Sequence, residues 1–192
     1  LLPRSQDGYQ WETFSKDGGL TWTPVRHTRF ISHQSAMAMN RCVIRNNPSN
    51  GINCYDSSAQ FVNNLVIDNQ TGCKFGNAAQ AIFRNNTVTT GFNGMFGEKA
   101  GLPEVRNCII WGMGGPAFTG SYHFSVRYSC LKDNAPGEGN IVADPLFASE
   151  PQANYFPRSA YGRWYPAIDL WVLDTATSPC IDGGNPADPV GD

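Results

Sequence analysis

The sequence predicts an all-β solenoid, a parallel β-helix of about five coils, from three observations. A unit of 21 to 23 residues repeats, each unit carries one short β-branched run, and asparagine or glycine follows each run at a fixed distance. Units this short leave no room for a helix between strands, and they suit coils lying about 4.8 Å apart that bury inward residues against their neighbours. Propeller blades need roughly 40 or more residues, so they do not fit the period. Leucine-rich repeats are disfavoured because their Leu-x-x-Leu-x-Leu spacing is missing. With 12% aromatic residues, only 16% charged residues, Gly 20 and Pro 13, the composition is turn-rich and polar rather than that of a helical bundle.

The chain divides into a β-hairpin segment over residues 1–35, the coils over 36–147 and an irregular, loop-rich C-terminal cap over 148–192. In the first part, Tyr9-Gln10-Trp11-Glu12-Thr13-Phe14 alternates as a strand. Ser35-Ala36-Met37-Ala38-Met39 suits either the last strand of this segment or the start of the first coil.

The coils are marked by Cys42-Val43-Ile44, Leu65-Val66-Ile67, Thr87-Val88-Thr89 and Cys108-Ile109-Ile110, with a weaker run at Ser129-Cys130-Leu131. Aligned on Val43, Val66, Val88 and Ile109, the spacings are 23, 22 and 21. Three residues later come Asn46, Asn69, Gly91 and Gly112, residue types that readily take left-handed angles. A second glycine series, Gly51, Gly72, Gly94 and Gly115, precedes Ile52, Cys73, Met95 and Pro116. Asn64, Asn86 and Asn107 form a third series suited to a side-chain ladder, and Phe61 and Phe83 stand 22 apart before it. The cap is rich in prolines and Asx-Gly pairs, which read as turns covering an open solenoid end.

Two stretches resemble known families. Asn140-Ile141-Val142-Ala143-Asp144-Pro145-Leu146-Phe147, then Ser178-Pro179-Cys180-Ile181-Asp182-Gly183-Gly184, resemble the N-I-x-x-D-P-x-F and S-P-C-I-D-x-G ending of bacterial secreted right-handed parallel β-helix repeat proteins. That resemblance implies right-handed coiling, export to the exterior or cell surface and a pectate-lyase-like superfold. Such folds host lyases, hydrolases, adhesins and passive surface proteins alike. Ser15-Lys16-Asp17-Gly18-Gly19-Leu20-Thr21-Trp22 is similar to the Asp-box of sialidases and other β-propellers, with Ser15, Asp17, Gly19, Thr21 and Trp22 at the motif positions. It implies a hairpin turn in which Asp17 bonds turn amides and Trp22 packs beneath. In sialidases an arginine ahead of an Asp-box binds the substrate carboxylate, and Arg4 is the residue that matches it.

A net charge of −2 with scattered Lys and Arg predicts no nucleic-acid partner, and no apolar run approaches the roughly 20 residues of a membrane span. Leu1-Leu2-Pro3-Arg4 is not a signal peptide and Gly191-Asp192 ends in a turn-forming stretch, so part of a longer chain is expected. The six cysteines, 42, 54, 73, 108, 130 and 180, lack zinc-site pairs. Most read as small buried hydrophobes, with a disulfide conceivable between Cys108 and Cys130 on adjacent coils. Asp182, Asn185 and Asp188 offer hard oxygens to Ca2+, or cap turns; no other cofactor is expected.

His27, His33 and His123 lack partners at motif spacing, and no catalytic residue is assigned. Arg45 and Asp68 read as an exposed ladder ion pair, while Glu98, Lys99 and Glu104 read as a loop insertion after Gly97. Trp111, together with Tyr155, Phe156, Tyr161, Trp164, Tyr165 and Trp171, offers aromatic faces that either stack on sugars or cover a core. The expected substrate-binding residues are therefore Arg4, Trp111, Tyr161 and Trp164. The leading expectation is an extracellular β-helix domain associated with polysaccharide or surface glycan. The alternatives are part of a glycan-cleaving enzyme, a polysaccharide lyase or sialidase-like glycosidase, and a structural spacer in a surface protein.

Overall fold

The computed structural model describes residues 13–15, 22–24, 30–33 and 38–188 except 57, 78, 99, 100, 122 and 166, with side chains from residue 38 onward. Arg4, His27, Lys99 and Asp17, Gly19 and Thr21 of the Asp-box lie outside the described residues. Thr13–Ser15 and Trp22–Pro24 pair antiparallel, with Ser15 opposite Trp22.

From Phe30 onward the chain winds as a parallel solenoid with three strand-bearing faces. On the first, Ala38–Asn40, Gln60–Val62, Ile82–Arg84, Glu104–Arg106 and Ser125–Arg127 stack in a five-stranded sheet that marks about four full turns. The second stacks Val43–Arg45, the starts of Leu65–Gly76 and Thr87–Glu98, then Ile109–Trp111 and Cys130–Leu131. The third stacks Phe30–His33, Asn50–Tyr55, the later halves of the same two long strands, and Phe118–Gly120.

Register corrects the sequence alignment by one residue at each end of the second face. Val43 stands beside Leu65, Thr87, Ile109 and Cys130, whereas Ile44, Val66, Val88, Ile110 and Leu131 form the inward column. All five of these inward residues are buried. Strand alternation explains the choice: a one-residue slip would turn the whole apolar set outward. Phe61 and Phe83 stack as expected, with ring centroids 5.9 Å apart, and Met39, Val105 and Val126 continue their column.

The same shift relocates the turns. Left-handed residues stack as Arg41, Asn63, Asn85, Asn107 and Tyr128 at one corner and as Asn46, Asp68, Thr90 and Gly112 at the next. Asn107 therefore belongs to a corner, and Asn69 lies in a buried position just past one. Asp68 occupies a left-handed corner whose amide donates to Thr90 Oγ1 at 3.0 Å, and Arg45 stands beside Ile67 instead, so no Arg45–Asp68 ladder forms. Gly51, Gly72 and Gly94 do stack, but the next partner of Met95 is Phe118 rather than Pro116. The extra residues bulge through Gly114 and Gly115, whose amides donate to Gly91 and Phe92 carbonyls. Glu98 and Glu104 sit on strands and not in a loop.

Two buried side-chain ladders hold the corners. Asn64 donates from its backbone N and its Nδ2 to Asn86 Oδ1 at 2.8 and 2.9 Å, and Asn86 Nδ2 donates to the Phe61 carbonyl at 2.8 Å. Asn47 does the same to Asn69 Oδ1, and Asn69 Nδ2 donates to the Ile44 carbonyl. Each asparagine thus satisfies backbone groups that a bend would otherwise leave buried and unpaired.

Candidate functional site

Past the last coil, the cap returns along the solenoid. Phe147–Ser149 and Asn154–Pro157 form an antiparallel pair joined by a short 3-10 turn over Glu150–Gln152. Phe147 and Tyr155, edge to face with centroids 5.4 Å apart, pack on Ile67 and against Val43, Leu65, Ile109 and Trp111. The outward side of the second face is therefore a covered secondary core. Trp111, expected to meet sugar, is half-buried in it.

A second hairpin, Arg163–Tyr165 with Leu170–Val172, projects its aromatics. Trp164 and Trp171 are cross-strand partners with ring centroids 6.3 Å apart. Trp171 is 71% exposed and the nearby Tyr161 92% exposed, while Trp164 is 39% exposed. The base of this hairpin is fastened by Arg163, whose Nε and Nη2 donate to Asp174 Oδ2 and Oδ1 at 2.7 and 3.1 Å. The same carboxylate accepts from the Ser159 amide at 2.9 Å. The Arg163 guanidinium beside it, aided by that amide, lowers the Asp174 pKa.

The tail from Ser178 to Asp188 then crosses the corner between the first two faces and walls one side of an open cavity of about 580 Å³. Asn107, Cys130, Cys180, Asp182, Asn185 and Asp188 are among its lining. The three residues expected to offer oxygens to Ca2+ thus share one cavity wall. Asp188, however, accepts from Arg106 Nη1 at 3.1 Å and from Asn107 Nδ2 at 3.0 Å. Asn185 uses its side-chain oxygen on the Ala187 amide and its own amide on Asn107 Oδ1. Asp182 is exposed in a left-handed turn conformation. Among the described residues no group of three or more His, Cys, Asp or Glu is placed to hold a metal.

Glu104 also approaches Arg106, Oε1 to Nε at 3.5 Å, so two carboxylates converge on one guanidinium. Elsewhere Glu98 pairs with Lys74 at 2.7 Å, and His123 is exposed. Arg106 is the candidate-site residue that the sequence did not single out. Its partner Asp188 lies 82 positions away, and no local signal links them.

A family model for the right-handed β-helix region matches residues 27–144, well over half of the chain. The chain belongs to the right-handed β-helix family. Comparison with curated proteins and with solved structures gave no match. The matched region of the β-helix ends before both cap hairpins and before the tail, so the exposed aromatics and the tail side of the cavity lie in chain that the family description does not cover.

Proposed function

We propose that this β-helix is an extracellular, carbohydrate-associated domain whose aromatic cap hairpin contacts polysaccharide or surface glycan. The supporting observation is the group formed by Trp164 and Trp171 on a short hairpin and Tyr161 just before it, large rings left exposed instead of being folded onto either core. Aromatic faces meet the apolar C–H side of sugar rings, and exposed clusters of this kind are characteristic of interaction sites. The Arg163–Asp174 pair fixes the hairpin base, which reduces the ordering needed on binding.

A glycan array run with and without calcium tests the reading. Selective binding that Trp171→Ala or Trp164→Ala abolishes, and Trp111→Ala alters only through loss of stability, supports it. Absence of binding to every glycan sinks it and favours a structural spacer. The convergence of Glu104 and Asp188 on Arg106 favours a second reading, glycan cleavage at this charged cluster. Release of reducing ends from any bound polysaccharide, lost in Glu104→Gln, is the outcome that reading requires.

A further inference from the structure

Cys108 and Cys130 do not face each other. Cys108 stands beside Ser129, to whose Oγ its amide donates at 3.2 Å, and its thiol turns inward to the Phe83 carbonyl. Cys130 is in register with Ile109 and next to the inward Leu131, so strand alternation turns Cys130 outward. On that side the tail brings up Cys180, and the two cysteines line the wall of one cavity. Backbone contacts hold each of them: the Cys130 thiol is directed to the Ala143 carbonyl at 3.1 Å, and the Cys180 amide donates to Ser178 Oγ at 3.0 Å. The tail around Cys180 is pinned independently, by Ser178 N to the Arg158 carbonyl, Asn185 N to Asn107 and Asp188 to Arg106.

We infer that Cys130 and Cys180 are the partners of a disulfide that fastens the C-terminal tail to the last turn of the β-helix. Both are thiols in this structure. Closing the bond removes two protons and two electrons, which a low-molecular-weight disulfide such as glutathione disulfide takes up. Cys180, as thiolate, attacks one sulfur of that disulfide and expels one thiolate. Cys130, once deprotonated, then attacks Cys180 Sγ and expels the second, leaving one protein disulfide and two small thiols. The order follows from the environment: the neighbouring Cys130 lowers the Cys180 pKa, while Cys180 and burial raise that of Cys130. The bond would close a loop of about fifty residues containing both cap hairpins, and such bonds persist in oxidising compartments. The inference is independent of carbohydrate binding.

The test is a disulfide map of the whole chain. Folded protein is equilibrated with glutathione disulfide, alkylated, digested without reduction and analysed by mass spectrometry. The expected result is a Cys130–Cys180 cross-linked peptide and two fewer free thiols than the six cysteines of the reduced chain. Cys180→Ser should leave Cys130 free to alkylate on unfolding, and reducing the wild type should make cleavage within residues 178–188 several-fold faster. Recovery of both cysteines alkylated, a stable glutathione adduct at Cys180, or Cys130 bridged to another cysteine overturns the inference. Because the wild-type map needs no variant, failure of Cys180→Ser to fold leaves the decision intact.

Discussion

Cys108 takes the place of an asparagine in the inner ladder. Asn64 and Asn86 each send Nδ2 to a carbonyl 25 positions earlier, and the Cys108 thiol is directed to the Phe83 carbonyl at the same separation, 3.4 Å away. Burial is the main reason its pKa is pushed up to about 12, and Cys73, wholly enclosed beside Cys54 and Cys108, is raised well above its ordinary value. Both thiols should therefore resist iodoacetamide in the native state at pH 8 and react only on unfolding. Labelling of either in folded protein would mean that the coils open locally. Asn86→Ala removes the acceptor of two Asn64 donors and leaves the Phe61 and Arg84 carbonyls short of a partner. A loss of about 3 kcal/mol is expected, read from the urea midpoint; a change within about 0.5 kcal/mol would show the ladder to be dispensable.

At the scale of elements, glycine is required where one strand presses on the next. A Cβ on Gly72 would stand 2.7 Å from the Gly94 carbonyl oxygen and collide with Val88 Cγ1. Neither neighbour has room to retreat, since Val88 lies in the buried inward column. Gly72→Ala should cost at least about 2 kcal/mol in the same unfolding experiment. The exposed aromatic hairpin depends on a charge instead. Because the Asp174 pKa is lowered in the folded chain, the stabilisation is complete above the unfolded carboxylate pKa of about 3.9 and is lost as pH falls through the lower folded value. Acid titration followed by tryptophan fluorescence should show a step in this range. Asp174→Asn should abolish that step, leaving the coil unfolding midpoint at neutral pH nearly unchanged.

For the molecule as a whole, coils touch only their neighbours, so stability adds along the axis and the exposed end is where the stack opens. The tail spans two turns there, from Asn107 and Arg106 to Cys130. Asp188→Asn should cost less than about 1 kcal/mol of global stability, since the pair is partly exposed, while hastening proteolysis within the tail. Equal protection of the tail in variant and wild type would place the anchor elsewhere.

The repeat period, the β-branched runs and the Phe61–Phe83 stack were legible in the sequence because each coil meets its neighbour through like residues, and period then translates directly into contact. The phase within each run was not. Val43 and Ile44 are equally apolar, and only the stacking of whole coils decides which one faces inward; the same one-residue difference moved Asn107 from ladder to corner and Cys108 away from Cys130. The cap was legible as turns and aromatics, yet which rings are covered and which exposed depends on which of them the first hairpin brings onto the second face. Sequence alone therefore determined the solenoid and its punctuation. The tertiary structure alone decided the partners of Arg106 and Cys130, because the tail that supplies them approaches through space across a separation that no periodic pattern encodes.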